Sequence, residues 1–249
     1  MGIIVDNVSF MSDGCRLSGR LYRPEVKGRY PAVALCLGFP GDTKHTDLAE
    51  DLAFNGIVSL IFYYNGAWGS DGEFSFLTLD QSTRDAVRFL SSQDFVDPGR
   101  MGLIGHSMGS VPLSKNLAEN PRLKTGVFIG PVADISTWTI KEAIQIIVPR
   151  LLTMAQGKLR GLTEEKILKE LPIVAEKLNP VDLIKSVKAS IMVIVGSNDS
   201  ETPPEMCRLL YEGAESTKSW VLIEGANHVF SEHRMPLINS VVSWLKDKL

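Results

Sequence analysis

The pentapeptide Gly105-His106-Ser107-Met108-Gly109 decides the fold of this chain. It follows a mainly apolar run, residues 100–104, and precedes a stretch with a helical pattern, residues 110–120. A serine on a tight turn between a strand and a helix needs small neighbours, because the turn crowds and strains its backbone. The two glycines meet this need. The segment therefore predicts Ser107 as a nucleophile and the Met108 N–H as a donor to a developing negative charge.

Length, charge and cysteine content narrow the class of protein. The chain has 249 residues and a net charge of −3, from 26 basic and 29 acidic residues. This length suits one domain, and a weakly acidic chain lacks the positive field that would bind nucleic acid. The three cysteines lie far apart, and no apolar run approaches the length of a membrane-spanning helix. We expect a reduced, cytoplasmic protein without a membrane span.

Short apolar runs alternate with helical patterns along most of the chain. Residues 3–10 and 16–22 flank a turn and predict an opening antiparallel pair of strands. Continuous apolar runs predict strands buried on both faces of a parallel sheet, at residues 31–37, 57–64, 101–104, 126–129, 191–195 and 220–223. Helical patterns separate them, near residues 46–54, 82–90, 110–120, 204–211 and 236–246. The pattern predicts an α/β fold with a mostly parallel central sheet flanked by helices.

The stretch from Asp134 to about Asn179 departs from this alternation. It is far longer than an ordinary connection between two elements and has helical patterns of its own. Apolar residues repeat on one face over residues 140–151, and a second helix is expected to begin at Thr163. We predict a helical cap, inserted at about 134–179 into a single domain that spans residues 1–249.

An alternative for this stretch is an enlarged helical layer that only packs against the sheet. Trp138, Ile146 and Met154 distinguish the two interpretations. In a cap they would contact the substrate, whereas in a packing layer they would lie in the core. The sequence leaves both open.

A serine hydroxyl is inert at neutral pH unless a base takes its proton, and the base needs a group to orient it. The chain has four histidines. His228 follows the last predicted strand and is the predicted base. His45 lies too early for the chain order of serine, acid and histidine, and His106 is expected to have a packing role inside the turn. We expect His233 at the surface.

Two aspartates compete for the role of the acid. Asp199 lies in the loop after the predicted strand at 191–195, at the sheet edge where open α/β sheets carry their chemistry. Asp134 directly follows the predicted strand at 126–129. Asp199 fits the expected chain order and is the predicted catalytic acid, although an aspartate at this position also suits a simple turn.

The loop at residues 37–42 is predicted to supply a second donor for the oxyanion. Pro40 has no N–H and favours an extended conformation at Phe39, so the Phe39 N–H is the candidate. A plain turn without a catalytic role is the alternative for this loop.

These segments resemble those of the α/β-hydrolases of the serine esterase, lipase and acyl-peptidase group. The pentapeptide resembles the nucleophile elbow, residues 196–199 the acid turn, and residues 225–228 the histidine loop. Residues 96–100 and 69–74 are similar to segments of bacterial and archaeal carboxylesterases, including the cinnamoyl and feruloyl esterase type. The resemblance covers nearly the whole chain, and the predicted cap lies at that group's usual insertion site.

The resemblance implies hydrolysis of a carboxylic ester through an acyl-enzyme. The expected partner is a small-molecule ester with a hydrophobic acyl or aryl group, and no metal or cofactor is expected because the histidines and cysteines have no ligand spacing. Hydrolysis of acyl-peptides, thioesters or lactones by the same residues is an alternative. A non-catalytic binding module on the same fold is a further alternative.

Overall fold

The computed structural model describes residues 2–41 and 45–249. Its eight strands form one sheet in the order β1-β2-β4-β3-β5-β6-β7-β8. The pairs β1–β2 and β2–β4 are antiparallel, and the remaining pairs are parallel. The strands are β1 (Ile3–Ser12), β2 (Cys15–Pro24), β3 (Tyr30–Cys36), β4 (Val58–Phe62), β5 (Val96–His106), β6 (Leu123–Ile129), β7 (Ser190–Gly196) and β8 (Lys218–Ile223). The predicted α/β-hydrolase fold is confirmed.

Helices flank the sheet. They are α1 (Thr46–Phe54), α2 (Leu79–Ser91), α3 (Ser110–Glu119), α4 (Lys141–Ala155), α5 (Glu164–Lys177), α6 (Pro180–Leu183), α7 (Pro204–Gly213) and α8 (Arg234–Lys248). Helix α1 packs against α8, and α2 packs against α3. None of the helices within residues 2–41 and 45–249 has the length and apolar character needed to cross a lipid bilayer.

The central strands are buried, whereas the first edge strand is not. Every residue of β4 is buried, and so are the last six residues of β5 and of β7. Residues of β1 alternate between exposed and more buried positions, as expected for an edge strand with one face in water. The apolar runs of the sequence thus correspond to strands covered on both faces.

The long stretch between β6 and β7 contains α4 and α5 and begins and ends at a shared hydrogen-bond network. Asn179 donates to Asp134 Oδ1 at 2.9 Å, and Asn179 Oδ1 accepts from the Ile135 N–H at 3.1 Å. Helix α5 begins as predicted, with the Thr163 side chain accepting from the Lys166 N–H. The segment that contains α4 and α5 therefore leaves the sheet and returns to it at the same place.

The expectation for Ile146 is wrong under both interpretations of this stretch. Its side chain is 70% exposed, so it does not lie in the core, and it does not line the cavity beside Ser107. Helix α4 packs through Ile144, Ile147, Val148 and Leu151. Because successive residues of a helix are rotated by about 100°, Ile146 points away from its packed neighbour Ile147.

The turn after β5 brings two backbone segments into close contact. Residues Ser107–Gly109 form a single 3₁₀ turn, and α3 follows directly. A Cβ atom at Gly109 would lie 2.7 Å from the carbonyl carbon of Cys36 at the end of β3, and closer still to its oxygen. Only a glycine fits at this position without moving one of the two segments.

Replacement of Gly109 by alanine should therefore destabilise the protein. We expect Gly109→Ala to lower the free energy of unfolding by about 1–3 kcal/mol, the usual cost of overpacking. Gly99→Ala is the matched control, because Gly99 is exposed and its added Cβ would meet only the Asp97 carboxylate, at 3.3 Å. The control should change stability by less than about 0.5 kcal/mol. Urea denaturation measures both, and equal losses would contradict the steric argument.

Candidate active site

Ser107 lies at the tip of the tight turn between β5 and α3. Its φ is 54°, in the left-handed region that non-glycine residues seldom adopt. The preceding residue, His106, is extended with φ −104° and ψ 134°. Backbone strain of this kind is found at functional sites, where the surrounding structure maintains it. The turn leaves Ser107 half-buried at the wall of a cavity.

Asp199 and His228 are brought together from loops that follow neighbouring strands. Asp199 follows β7 and His228 follows β8. Asp199 Oδ2 lies 2.8 Å from His228 Nδ1. The Asp199 side chain is completely buried, and that of His228 is 16% exposed. A buried carboxylate in this position orients the imidazole and favours the tautomer with the proton on Nδ1.

The environment of Asp199 keeps its carboxylate charged. Burial by itself would raise the pKa, but the hydrogen bond and charge of His228 together with the hydrogen bonds from Thr202 outweigh it, and the pKa of Asp199 falls below its ordinary value. Asp199 Oδ1 accepts from the N–H groups of Glu201 and Thr202, each at 2.9 Å. Asp199 is therefore an anion opposite the imidazole.

Thr202 is a member of this cluster that the sequence argument missed. Its Oγ1 lies 2.9 Å from Asp199 Oδ2, 3.1 Å from His228 Nδ1 and 3.0 Å from the carbonyl oxygen of Gly130. The available signal was a threonine three residues after Asp199 in a turn-forming loop. Such loops place hydroxyl groups beside a preceding aspartate.

His106 links the serine turn to the histidine loop. Its Nε2 lies 3.0 Å from the carbonyl oxygen of His228, and the two rings are 4.8 Å apart between centroids. The ring of His106 also meets the ring of His45 edge-on, with centroids 4.8 Å apart. The predicted packing role of His106 thus includes direct contact with the loop that carries His228.

Ser107 and His228 line one cavity of about 500 Å³. Phe39 and Met108, the two predicted oxyanion donors, line the same cavity. Asp42, at the end of the predicted oxyanion loop, lies outside the described residues. Side chains from the stretch between β6 and β7 form an apolar part of the wall, namely Trp138, Ile147, Leu151 and Met154. The cavity is thus partly covered by that stretch.

One ion pair crosses the wall of the cavity. Arg150 of α4 pairs with Glu201 of the loop that carries Asp199. Both side chains remain partly exposed, so the pair contributes little to stability. It adds two charged side chains to a wall that also contains the polar residues Ser200, Thr202 and Asn227.

Asp134, the competing acid, has a different set of contacts. Its Oδ1 accepts from the Ser136 N–H at 2.9 Å, the Ser136 hydroxyl at 2.6 Å and Asn179 at 2.9 Å. It begins the 3₁₀ turn at Ile135–Thr139. These contacts assign its carboxylate to the start of the long stretch, whereas Asp199 contacts the imidazole.

Two of the three cysteines are buried, and their thiols are held in the neutral form. Burial raises the pKa of Cys36 and of Cys207 to about 12, so neither thiol is a ready nucleophile. Within residues 2–41 and 45–249, no group of three or more His, Cys, Asp or Glu side chains is arranged to bind a metal ion.

The chain is similar to several known proteins in sequence or in structure. An uncharacterized protein of Mycobacterium tuberculosis strain H37Rv is 30% identical over 224 residues, covering 90% of this chain and 72% of that protein. A polyketide transferase of Stachybotrys chlorohalonatus is 25% identical, with 90% of each chain covered. The esterase Est1E of Butyrivibrio proteoclasticus with bound ferulic acid superposes with a TM-score of 0.79 at 18% identity, covering 97% of this chain and 98% of that one.

The part of the chain from α2 to the C-terminal helix matches a known protein family. Residues 81–249 match the prolyl oligopeptidase family, and this range includes Ser107, Asp199 and His228. The match extends over more than half of the chain. The chain therefore belongs to the prolyl oligopeptidase family of α/β hydrolases.

Proposed function

We propose that this protein hydrolyses carboxylic esters through an acyl-enzyme, with Ser107, His228 and Asp199 as its catalytic triad. One observation carries the proposal: the imidazole hydrogen-bonded to Asp199 at 2.8 Å lines the same cavity as the strained turn of Ser107. Nucleophile, base and orienting acid are the parts that acyl transfer requires. They lie at one edge of the sheet although they are far apart in the sequence.

The reaction takes place in two halves. His228 Nε2 accepts the Ser107 proton as Oγ forms a bond with the ester carbonyl carbon, and Asp199 stabilises the resulting imidazolium. The imidazolium then protonates the leaving alcohol as the C–O bond breaks, which leaves the acyl group on Ser107. Water attacks the acyl carbonyl carbon while His228 accepts one of its protons. The bond between the acyl group and Ser107 Oγ then breaks, the carboxylic acid departs, and His228 returns the proton to Ser107.

The oxyanion of each tetrahedral intermediate requires donors that are already in place. The Met108 N–H lies in the 3₁₀ turn that precedes α3 and the Phe39 N–H in the loop after β3, and both residues line the cavity beside Ser107. Loss of one such donor typically lowers the rate by about 10²–10³-fold. We assign these two N–H groups to the oxyanion hole.

The cavity supports a hydrophobic acyl or aryl group as the substrate moiety. Its volume of about 500 Å³ is within the range of small-molecule sites. Two aromatic residues, Phe39 and Trp138, line this space. Together with the structural likeness to a ferulate-binding esterase, these residues favour esters of the cinnamoyl and feruloyl type. In this role residues 134–179 act as a cap.

Amide hydrolysis is the second candidate, because the family to which the chain belongs is named for an oligopeptidase. The same triad would cleave an acyl-peptide by the same two half-reactions. The two candidates differ in the leaving group, which is an alcohol in one and an amine in the other.

A matched substrate panel distinguishes the two candidates. Methyl ferulate, p-nitrophenyl butyrate, butyryl-CoA and an aminoacyl p-nitroanilide are compared by kcat/KM on the purified protein. We expect the two oxygen esters to be hydrolysed fastest. Turnover of the anilide alone would contradict the ester assignment and favour the peptidase.

Replacement of the nucleophile should abolish turnover without loss of the fold. Ser107→Ala is expected to lower kcat for p-nitrophenyl butyrate by about a million-fold, because the three residues act as a unit. Circular dichroism and thermal unfolding check that the fold is retained. A fluorophosphonate should label wild-type protein at Ser107 and leave the variant unlabelled. Folded wild-type protein that resists labelling would favour a binding module.

The two aspartates should differ in their effect on catalysis. Asp199→Asn is expected to lower kcat by about 10⁴-fold, because the amide stabilises the wrong imidazole tautomer. Asp134→Asn is the matched control and should lower kcat far less, since Asp134 contacts Ser136 and Asn179. Steady-state kinetics on both variants measure the difference. The reverse ranking would reassign the acid to Asp134.

A further inference from the structure

A buried carboxylate on α5 connects the stretch between β6 and β7 to the body of the fold. Glu170 is only 6% exposed. Its Oε1 accepts from the Ser75 hydroxyl and its Oε2 from the Phe76 N–H, each at 2.8 Å. A carboxylate is costly to bury unless such donors compensate for lost water. These two bonds therefore fix the distance between α5 and residues 75–76.

The two residues that bond to Glu170 also lie at the start of a helical turn. Ser75 Oγ, while donating to Glu170, accepts from the Leu77 N–H at 3.1 Å. The 3₁₀ turn at Phe76–Thr78 follows and leads directly into α2. The backbone of Phe76 is thus fixed on one side by α2 and on the other by the Glu170 carboxylate.

Phe76 in turn supports Phe39, the residue assigned to the oxyanion hole. Their rings are stacked, with centroids 6.0 Å apart and planes at 13°. Phe74 meets both rings edge-on, at 5.6 Å from Phe39 and 5.2 Å from Phe76. Phe74 is also tied to the connection between α4 and α5, because its N–H donates to the Arg160 carbonyl oxygen at 2.8 Å. The ring of Phe39 therefore packs on Phe74 and Phe76. The backbone N–H of each of these two residues is hydrogen-bonded to the stretch between β6 and β7.

We propose that Glu170 is a positioning residue for catalysis, which acts through Phe76 to fix the Phe39 N–H in the oxyanion hole. This inference rests on the proposed function of the site. The cap then has two roles, since it covers the cavity and also sets the geometry of one oxyanion donor. A displacement of about 1 Å at such a donor is enough to lower a rate by about 10²-fold.

Substitution of Glu170 tests the proposed positioning role, because loss of that role lowers kcat and leaves KM nearly unchanged. We expect Glu170→Leu to lower kcat for p-nitrophenyl butyrate by about 10- to 100-fold, with KM nearly unchanged because Glu170 does not line the cavity. Glu170→Gln should restore most of the activity. Its amide oxygen can accept from the Phe76 N–H, and its NH₂ group can donate to Ser75 Oγ.

Lys166→Gln is the matched control. Lys166 lies on the same helix and joins it to the same segment, through an ion pair with Glu73 at 3.5 Å. It has no bond to Phe76, so kcat should stay at the wild-type value. If Glu170→Leu does not fold, Ser75→Ala removes one of the two bonds and should lower kcat in the same direction. An unchanged kcat in the folded Glu170 or Ser75 variant would overturn the inference.

A double-mutant cycle with Phe39→Ala separates positioning from general loosening of the fold. Phe39→Ala keeps the backbone N–H but removes the ring that stacks on Phe76. If Glu170 acts through that ring, adding Glu170→Leu to Phe39→Ala should cause no further fall in kcat. A second fall of the same size as in the wild-type background would overturn the inference.

Fluorophosphonate labelling distinguishes failure of this inference from failure of the proposed function. Labelling of Ser107 should be slower in Glu170→Leu than in the wild type by the same factor as kcat. Equal labelling rates in the two proteins would overturn the positioning role alone. A wild-type Ser107 that does not react would refute the proposed function, and the positioning role with it.

Discussion

The site depends on the close approach of the backbone at the end of β5 to the backbone at the end of β3. These strands pair in parallel up to Cys36 and Gly105, so their loops begin at the same level. The approach is tight at two places. A side chain at Gly109 would collide with the Cys36 carbonyl group, and a Cβ at Gly38 would lie 3.0 Å from Ser107 Cβ. Small residues in the segments after both strands thus bring the serine turn beside the Phe39 loop.

Hydrogen bonds attach the long stretch between β6 and β7 to the same end of the sheet. Its first and last residues, Asp134 and Asn179, are bonded to each other, so the stretch begins and ends as one unit. Midway along, the Arg160 N–H donates to the Gly66 carbonyl oxygen at 2.9 Å and its carbonyl oxygen accepts from Phe74. The two Arg160 bonds are made by backbone groups, whereas the Asp134–Asn179 bond joins two side chains. Both backbone and side-chain hydrogen bonds therefore keep the stretch in position over the cavity.

The sequence predicted the fold and the location of the candidate residues better than it predicted their surroundings. Continuous apolar runs marked the buried parallel strands, and parallel strands end at one edge, so Ser107, Asp199 and His228 were expected to meet there. Thr202 and Glu170 were not predicted. A threonine before two prolines fits any turn, and a glutamate on an amphipathic helix normally faces water. Their roles follow from contacts between segments that are distant in the chain. The periodic pattern of apolar residues carries no information about such contacts.

The hydrogen bonds of Asp199 explain why its carboxylate orients His228 but does not take a proton from the imidazole. Its Oδ1 accepts from two backbone N–H groups, and its Oδ2 faces both His228 Nδ1 and the Thr202 hydroxyl. The hydroxyl has one proton, which it donates either to Oδ2 or to the Gly130 carbonyl oxygen. In either case the carboxylate keeps at least three hydrogen-bond donors, namely the two backbone N–H groups and His228 Nδ1. All three favour its charged form. A proton transferred from the imidazole to Oδ2 would lose this stabilisation, so the positive charge that forms during the reaction stays on His228.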